Sequence, residues 1–225
     1  MAFKSKPIAY ATSSSNMLYR IHPLLGSSNS IALTGLNANE QIVGLDFRPA
    51  NGALYAVTNQ SRLLTINTAN GQVTAVGSGL TPALSGQDFG FDFNPTVDRI
   101  RLVSNTGQNL RIHPDLGTIV STDGSLNPGT PSVTAAAYTN NFAQSTTTQL
   151  FVIDTSNNNL YLQNPPNNGT LVLVGSLGVT ASSMNGFDIG GNSNEAFSIL
   201  TVNGTQAVYR INLTTGAATR VVNFS

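Results

Sequence analysis

Four short apolar runs, IVGLDF, ALYAVT, RLLTIN and QVTAVG, follow one another between residues 42 and 77, separated by RPANG, NQS and TANG. Each run alternates or is rich in β-branched residues, and each is too short and too irregular in period for a helix. The separators carry the Pro, Gly and Asn that tight turns require. The same order of runs returns in FGFDFNPTVDRIRLVSNTGQNLRIHPDLGTIVSTDG, where Gly90 stands 46 positions after Gly44. VTAAAYTNNFAQSTTTQLFVIDTSNNNLYLQNPPNNGTLVLVG is a third copy with a longer first connection, and GFDIGGNSNEAFSILTVNGTQAVYRINLTTGAATRVVNF is a fourth. Near the start, PIAYATSSSNMLYRIHPLLGSSNSIALTG supplies the last three strands of a further copy. Its first strand is either borrowed from elsewhere in the chain or formed by residues 2 to 6.

A four-stranded repeat of this length is the signature of blades arranged around an axis. An open row of such sheets would leave two apolar end faces exposed, whereas a closed ring buries every sheet between two others. The chain therefore reads as all-β, a single five-bladed β-propeller of about four antiparallel strands per blade. One domain spans residues 1–225, with blades at roughly 1–36, 40–79, 88–126, 133–178 and 183–225. A two-sheet sandwich does not call for this equal spacing.

Composition narrows the function classes. Charged residues make up 9% of the chain and cancel to a formal net charge of zero. No basic footprint for nucleic acid or an anionic membrane surface is therefore present. Cysteine is absent, which removes disulfides and thiolate chemistry. No apolar run reaches the roughly 18–20 residues that cross a bilayer. The opening MAFKSKPIAYAT has lysines but no apolar segment behind them, so no signal peptide is visible. The chain is either not exported by that route or is a mature form with a new Met1. Ser, Thr, Asn and Gln carry the polar surface, a composition associated with an extracellular location.

Two features could carry chemistry. The chain has two histidines, and His113 lies in a charged stretch with Asp98, Arg99, Arg101 and Asp115. Aligning the copies places His22, Asn67, His113, Asn164 and Asn212 at one position, in YRIHPLLG, LTINTANG, LRIHPDLG, YLQNPPNNG and YRINLTTG. That position opens a turn, where a side-chain acceptor can take the backbone N–H two residues on. A catalytic histidine would stand once, beside a nucleophile and an orienting carboxylate. The histidines are read as turn residues, and no catalytic residue is assigned.

The second feature is Asp46, Asp92 and Asp188, which share one position in GLDF, GFDF and GFDI on the first strand of three copies. First strands line the axis, so the carboxylates converge there. They are metal candidates for a hard cation such as Ca²⁺. The alternative, which is favoured, is structural: buried acceptors for backbone N–H groups, or partners of Arg48, Arg99 or Arg101. No cofactor and no calcium effect are expected. No phosphate-binding glycine loop, zinc motif or nucleophile elbow occurs.

IVGLDFRPANGALYAVTNQSRLLTINTANGQVTAVG, GFDFNPTVDRIRLVSNTGQNLRIHPDLG, TTTQLFVIDTSNNNLYLQNPPNNGTLVLVGSLGV and INLTTGAATRV together resemble the bacterial family known as domain of unknown function 4394, from about Tyr10 to Val222. The resemblance implies a secreted or surface-exposed β-propeller and carries over no catalytic residue. Three functions are compatible with these features. One is a non-enzymatic extracellular or cell-surface interaction module, with a protein or glycan partner or self-association into oligomers or fibres. The others are a carbohydrate-binding propeller and a cation-dependent hydrolase or lyase whose machinery would sit where Asp98, Arg99, Arg101 and Asp115 break the repeat. Nucleic acid and a membrane span are excluded as partners.

Overall fold

Strands covered on both faces lose the polar alternation of half-exposed strands and become continuous apolar runs. LYAVT, LFVID and VTAAAY are such runs, and the computed structural model buries every residue of each. The structure describes residues 1–5 and 8–224, with the side chains of 3–5 excepted. It contains five four-stranded antiparallel sheets, each a meander in chain order. The first sheet is β1 (Ala2–Ser5), β2 (Ile8–Thr12), β3 (Met17–Ile21) and β4 (Ser28–Ala32). The second is β5 (Ile42–Phe47), β6 (Leu54–Thr58), β7 (Leu63–Ile66) and β8 (Val73–Val76). The third is β9 (Phe89–Asn94), β10 (Arg99–Ser104), β11 (Asn109–His113) and β12 (Thr118–Thr122). The fourth is β13 (Val133–Tyr138), β14 (Leu150–Asp154), β15 (Asn159–Gln163) and β16 (Leu171–Ser176). The fifth is β17 (Gly186–Ile189), β18 (Ala196–Val202), β19 (Thr205–Ile211) and β20 (Ala218–Asn223).

The first strands β1, β5, β9, β13 and β17 pack side by side in that order, and β1 also contacts β17, so the sheets form a closed ring. This is a five-bladed β-propeller. The first blade supplies its own inner strand: β1 pairs with β2, Ala2 opposite Tyr10, and no strand is borrowed from the chain's end. Lys6 and Pro7, at the end of the anticipated strand and the start of the next run, lie outside the described residues. No helix among the described residues is long and apolar enough to cross a membrane.

Apolar side chains gather in five slabs, one between each pair of neighbouring blades. Leu102, Leu110 and Phe93 fill the slab between the second and third blades. Met1, Ile21 and Phe197 fill the one between the fifth and the first. The slab between the third and fourth blades is supplemented by a polar network. There the buried Arg101 guanidinium donates to Asn109, Asp123 and Asn167 at 2.6–2.8 Å.

A repeated backbone contact sets the blade spacing. The turn before each outer strand holds a glycine at positive φ: Gly26, Gly71, Gly117, Gly169 and Gly216. Each presses on a backbone carbonyl of the preceding blade, at or just past its outer strand. A Cβ at Gly71 would stand 2.2 Å from the Ala32 oxygen, and one at Gly117 only 2.1 Å from that of Val76. The ring closes the same way, with a Cβ at Gly26 falling 2.3 Å from the Asn223 oxygen.

Gly52 has a similar φ but nothing within 4 Å of a Cβ placed there. Gly52→Ala is therefore expected to cost only the left-handed backbone penalty of about 1–2 kcal/mol. Gly117→Ala must also push two blades apart, adding about 1–3 kcal/mol of overpacking. Urea unfolding of the two variants checks this, and equal losses would mean that the contact does not set the spacing.

Candidate functional site at the ring axis

Inner strands have one edge paired within their blade and one edge facing the axis. Residues there must find acceptors for N–H groups that no ladder serves. The aspartates provide them. Asp46 Oδ1 accepts the N–H of Phe47 at 2.7 Å, and its Oδ2 accepts the N–H of Phe93, one blade on, at 2.8 Å. Asp92 Oδ2 accepts the N–H of Tyr138 in the fourth blade at 2.7 Å. Asp188 Oδ1 accepts the N–H of Ile189 at 2.6 Å. Each acid tethers its own strand, the next one, or both. In the fourth blade the position facing Phe151 across the sheet is Ala137, where the second, third and fifth blades have aspartate, and it offers no such acceptor.

All three carboxylates are buried, and one ligand oxygen from each lies within 4.8 Å of the others. Of the two structural alternatives read from sequence, the backbone N–H groups are the partners seen. Arg48 goes instead to Asp98 and Asp115, at 2.5 Å each, and Arg99 to the carbonyl of Asp98. Arg101 faces Asp92 across the ladder, yet its guanidinium turns to Asp123 and Asn109.

Three acids so close in a dry site cannot all ionise freely. Burial pushes the Asp46 carboxyl up to about 6, against the pull of its backbone N–H bonds. Burial pushes Asp92 well up as well, reinforced by the negative charges of Asp46 and Asp188, and the hydrogen bond between Asp92 and Asp46 favours the proton on Asp92. Burial also lowers the pKa of the Met1 α-amino group, which all three aspartates oppose.

A hard cation needs six to eight oxygens at roughly 2.3–2.6 Å. Asp46, Asp92 and Asp188 are the residues that could hold one. The spacing suits such an ion, but both oxygens of Asp46 already serve backbone N–H groups. A cavity of about 300 Å³ reaches the cluster at Asp188, lined also by Phe47, Arg48, Asn141, Phe142 and Ile189. Asn141, from the connection between β13 and β14, lines this cavity and pulls the Asp46 carboxyl down against the effect of burial. Sequence reading did not single out Asn141, although the greater length of that connection was the available signal.

The charged stretch around His113 does not assemble one site. Asp98 and Asp115 clamp Arg48 at the seam between the second and third blades, while Arg101 is buried at the next seam. His113 Nδ1 accepts the N–H of Asp115 at 3.2 Å. Asn67 and Asn212 make the same bond to Ala69 and Thr214. His22 departs from the pattern, since its Nδ1 is buried without a partner.

Asp46→Asn keeps one acceptor oxygen where two N–H groups need one each, so it should cost on the order of 1–3 kcal/mol at pH 7. Asp46 binds more protons folded than unfolded between its unfolded pKa near 3.9 and about 6, so its contribution falls as pH rises through that window. The stability advantage of wild type over Asp46→Asn should therefore grow by about 1 kcal/mol from pH 7 to pH 5. Denaturant unfolding of both chains at the two pH values measures it, and a constant difference would show that Asp46 does not titrate there. EDTA and Ca²⁺ are expected to leave the melting temperature unchanged, because an ion stabilises only by binding the native state. A calcium-dependent rise lost in Asp46→Asn would instead identify a cation site.

The fold has solved relatives at low sequence identity. A structure of a nidogen/laminin complex is matched with 16% identity and a TM-score of 0.57, over 97% of this chain and 76% of that one. An auxiliary nutrient binding protein from Bacteroides ovatus is matched with 10% identity and a TM-score of 0.56, over 95% of this chain and 54% of that one. PorZ, a surface component of the type-IX secretion system of Porphyromonas gingivalis, is matched with 12% identity and a TM-score of 0.47, over 95% of this chain and 28% of that one. The chain thus spans less than two thirds of the last two. The first two likenesses support the architecture alone. No curated protein sequence matches the chain. The model of the domain of unknown function DUF4394 matches residues 22–225, and the chain belongs to that family.

Proposed function

We propose that the chain is a non-enzymatic interaction module acting outside the cell or at its surface, and that it associates with further copies of itself through its outer strands. One observation carries this reading. A sheet edge with unpaired N–H and C=O groups invites pairing, and soluble proteins usually blunt it with charge or proline. Here β4, β8, β12, β16 and β20 contain no proline, and Arg220 of β20 is their sole charged residue. Val120 on β12 is 50% exposed, and Val172 and Leu173 on β16 are 49% and 58% exposed. A formal net charge of zero adds no repulsion between copies.

This reading is supported over a cation-dependent hydrolase or lyase by how the axial carboxylates are used. Oxygens of Asp46 and Asp92 join neighbouring inner strands, Asp188 Oδ1 accepts an N–H of its own strand, and the residues that break the repeat are spread over two seams. A general acid and base would need to converge on one substrate position.

Light scattering coupled to size exclusion, across a wide concentration range, tests the proposal. The wild-type chain is expected to form concentration-dependent oligomers or fibres, and Val120→Lys with Leu173→Lys to shift it to monomer. A wild-type chain that stays monomeric throughout would overturn self-association.

A further inference from the structure

The repeat is broken most strongly in the fourth blade. Its first two strands are joined by residues 139–149, where the second, third and fifth blades use 48–53, 95–98 and 190–195. Between this connection and the fifth blade lies a hollow of about 420 Å³, within the roughly 300–1,000 Å³ range of small-ligand sites. Its walls include Asn140, Thr147, Gln149, Asn194 and Thr214, and Phe151, only 5% exposed, contributes apolar surface with Leu213.

The walls are held in place by their own hydrogen bonds. Asn140 and Asn194 sit at φ 52° on facing blades and bond reciprocally: Asn140 N–H to Asn194 Oδ1 at 2.7 Å, Asn194 Nδ2 to Asn140 Oδ1 at 2.8 Å. Asn140 Nδ2 also donates to the Thr147 carbonyl at 3.0 Å. Thr148 Oγ1 donates to the Thr139 carbonyl, and Thr139 Oγ1 accepts the N–H of Gln149. Among the described residues, the Gln149 carboxamide and the Thr214 hydroxyl make no side-chain hydrogen bond and remain available to a ligand.

We propose that this hollow binds a neutral saccharide unit. No lining residue is charged, so an ionic ligand would lose its hydration without a counter-charge. A purely apolar ligand would strand the free amide and hydroxyl, which costs binding energy. A sugar satisfies both demands. Its hydroxyls give and take hydrogen bonds with Gln149, Thr147 and Thr214, while a C–H face lies against Phe151 and Leu213. This inference does not depend on self-association, because the hollow lies at an end of the blades and not on an outer strand.

The test is nuclear magnetic resonance of the full chain titrated with neutral gluco-, galacto- and manno-configured oligosaccharides, with sulfated and sialylated sugars beside them. At least one neutral sugar is expected to shift the amides of Thr147, Gln149, Phe151 and Thr214. Gln149→Ala with Thr214→Val is expected to weaken that binding at least tenfold at an unchanged melting temperature, while Thr74→Ala on the second blade, across the ring, leaves it intact. The proposal fails if no neutral sugar shifts those amides, if only anionic sugars do, or if the double variant binds like wild type. The wild-type shift map decides even if the double variant unfolds.

Discussion

Neighbouring blades of a propeller share no hydrogen-bond ladder, and the ring therefore depends on what fastens one inner strand to the next. Here a buried carboxylate does so. Asp46 takes one N–H from its own strand and one from the next blade, and Asp92 reaches to Tyr138 one blade further. A neutral side chain with a single acceptor oxygen could serve one of these groups but not two on neighbouring blades. Burial at the axis raises the carboxyls of both Asp46 and Asp92, and the crowding of three acids there raises Asp92 further. Cohesion of the inner ring and the strained protonation of its centre thus have one origin.

The outer perimeter is fastened differently. Turn glycines at positive φ bring each blade's backbone onto a carbonyl of the previous one, and apolar slabs fill the space between. Inside and outside fastenings act at different radii, so the wedge shape of each blade is determined twice. Where the slab between the third and fourth blades carries fewer apolar side chains, the Arg101 network takes over with Asp123, Asn109 and Asn167. Such a network is tolerable in a buried seam because nearly every member has a partner. Gln163 Oε1 is the exception, being buried without one.

The five-bladed ring was legible because each strand is a short apolar run and each turn repeats its Gly or Asn at one spacing. Convergence of Asp46, Asp92 and Asp188 was legible for the same reason, since equal positions in equal blades meet on the axis. Their hydrogen-bond partners were not, because the choice between a backbone N–H and Arg48 or Arg101 depends on the stagger of adjacent blades. Arg101 shows this well: it is paired in register with Asp92, but Asp123 and Asn167 lie where its longer side chain ends. The turn role of His113 was visible by alignment with Asn67 and Asn212. His22 shows the limit of that alignment, since an equal position did not bring an equal bond.

Repetition also indicates where a ligand is to be sought. Features that recur in every blade are accounted for by the ring itself, which needs them to close. Features that occur once are free of that demand. The connection at 139–149 is such a feature, and it serves two places together. Asn141 lines the cavity at the axis, while Asn140, Thr147 and Gln149 face outward into the hollow beside the fifth blade. The Asn140–Asn194 pair pins the base of this connection to the neighbouring blade, so the axial and the outward sides of the segment are held by one tether.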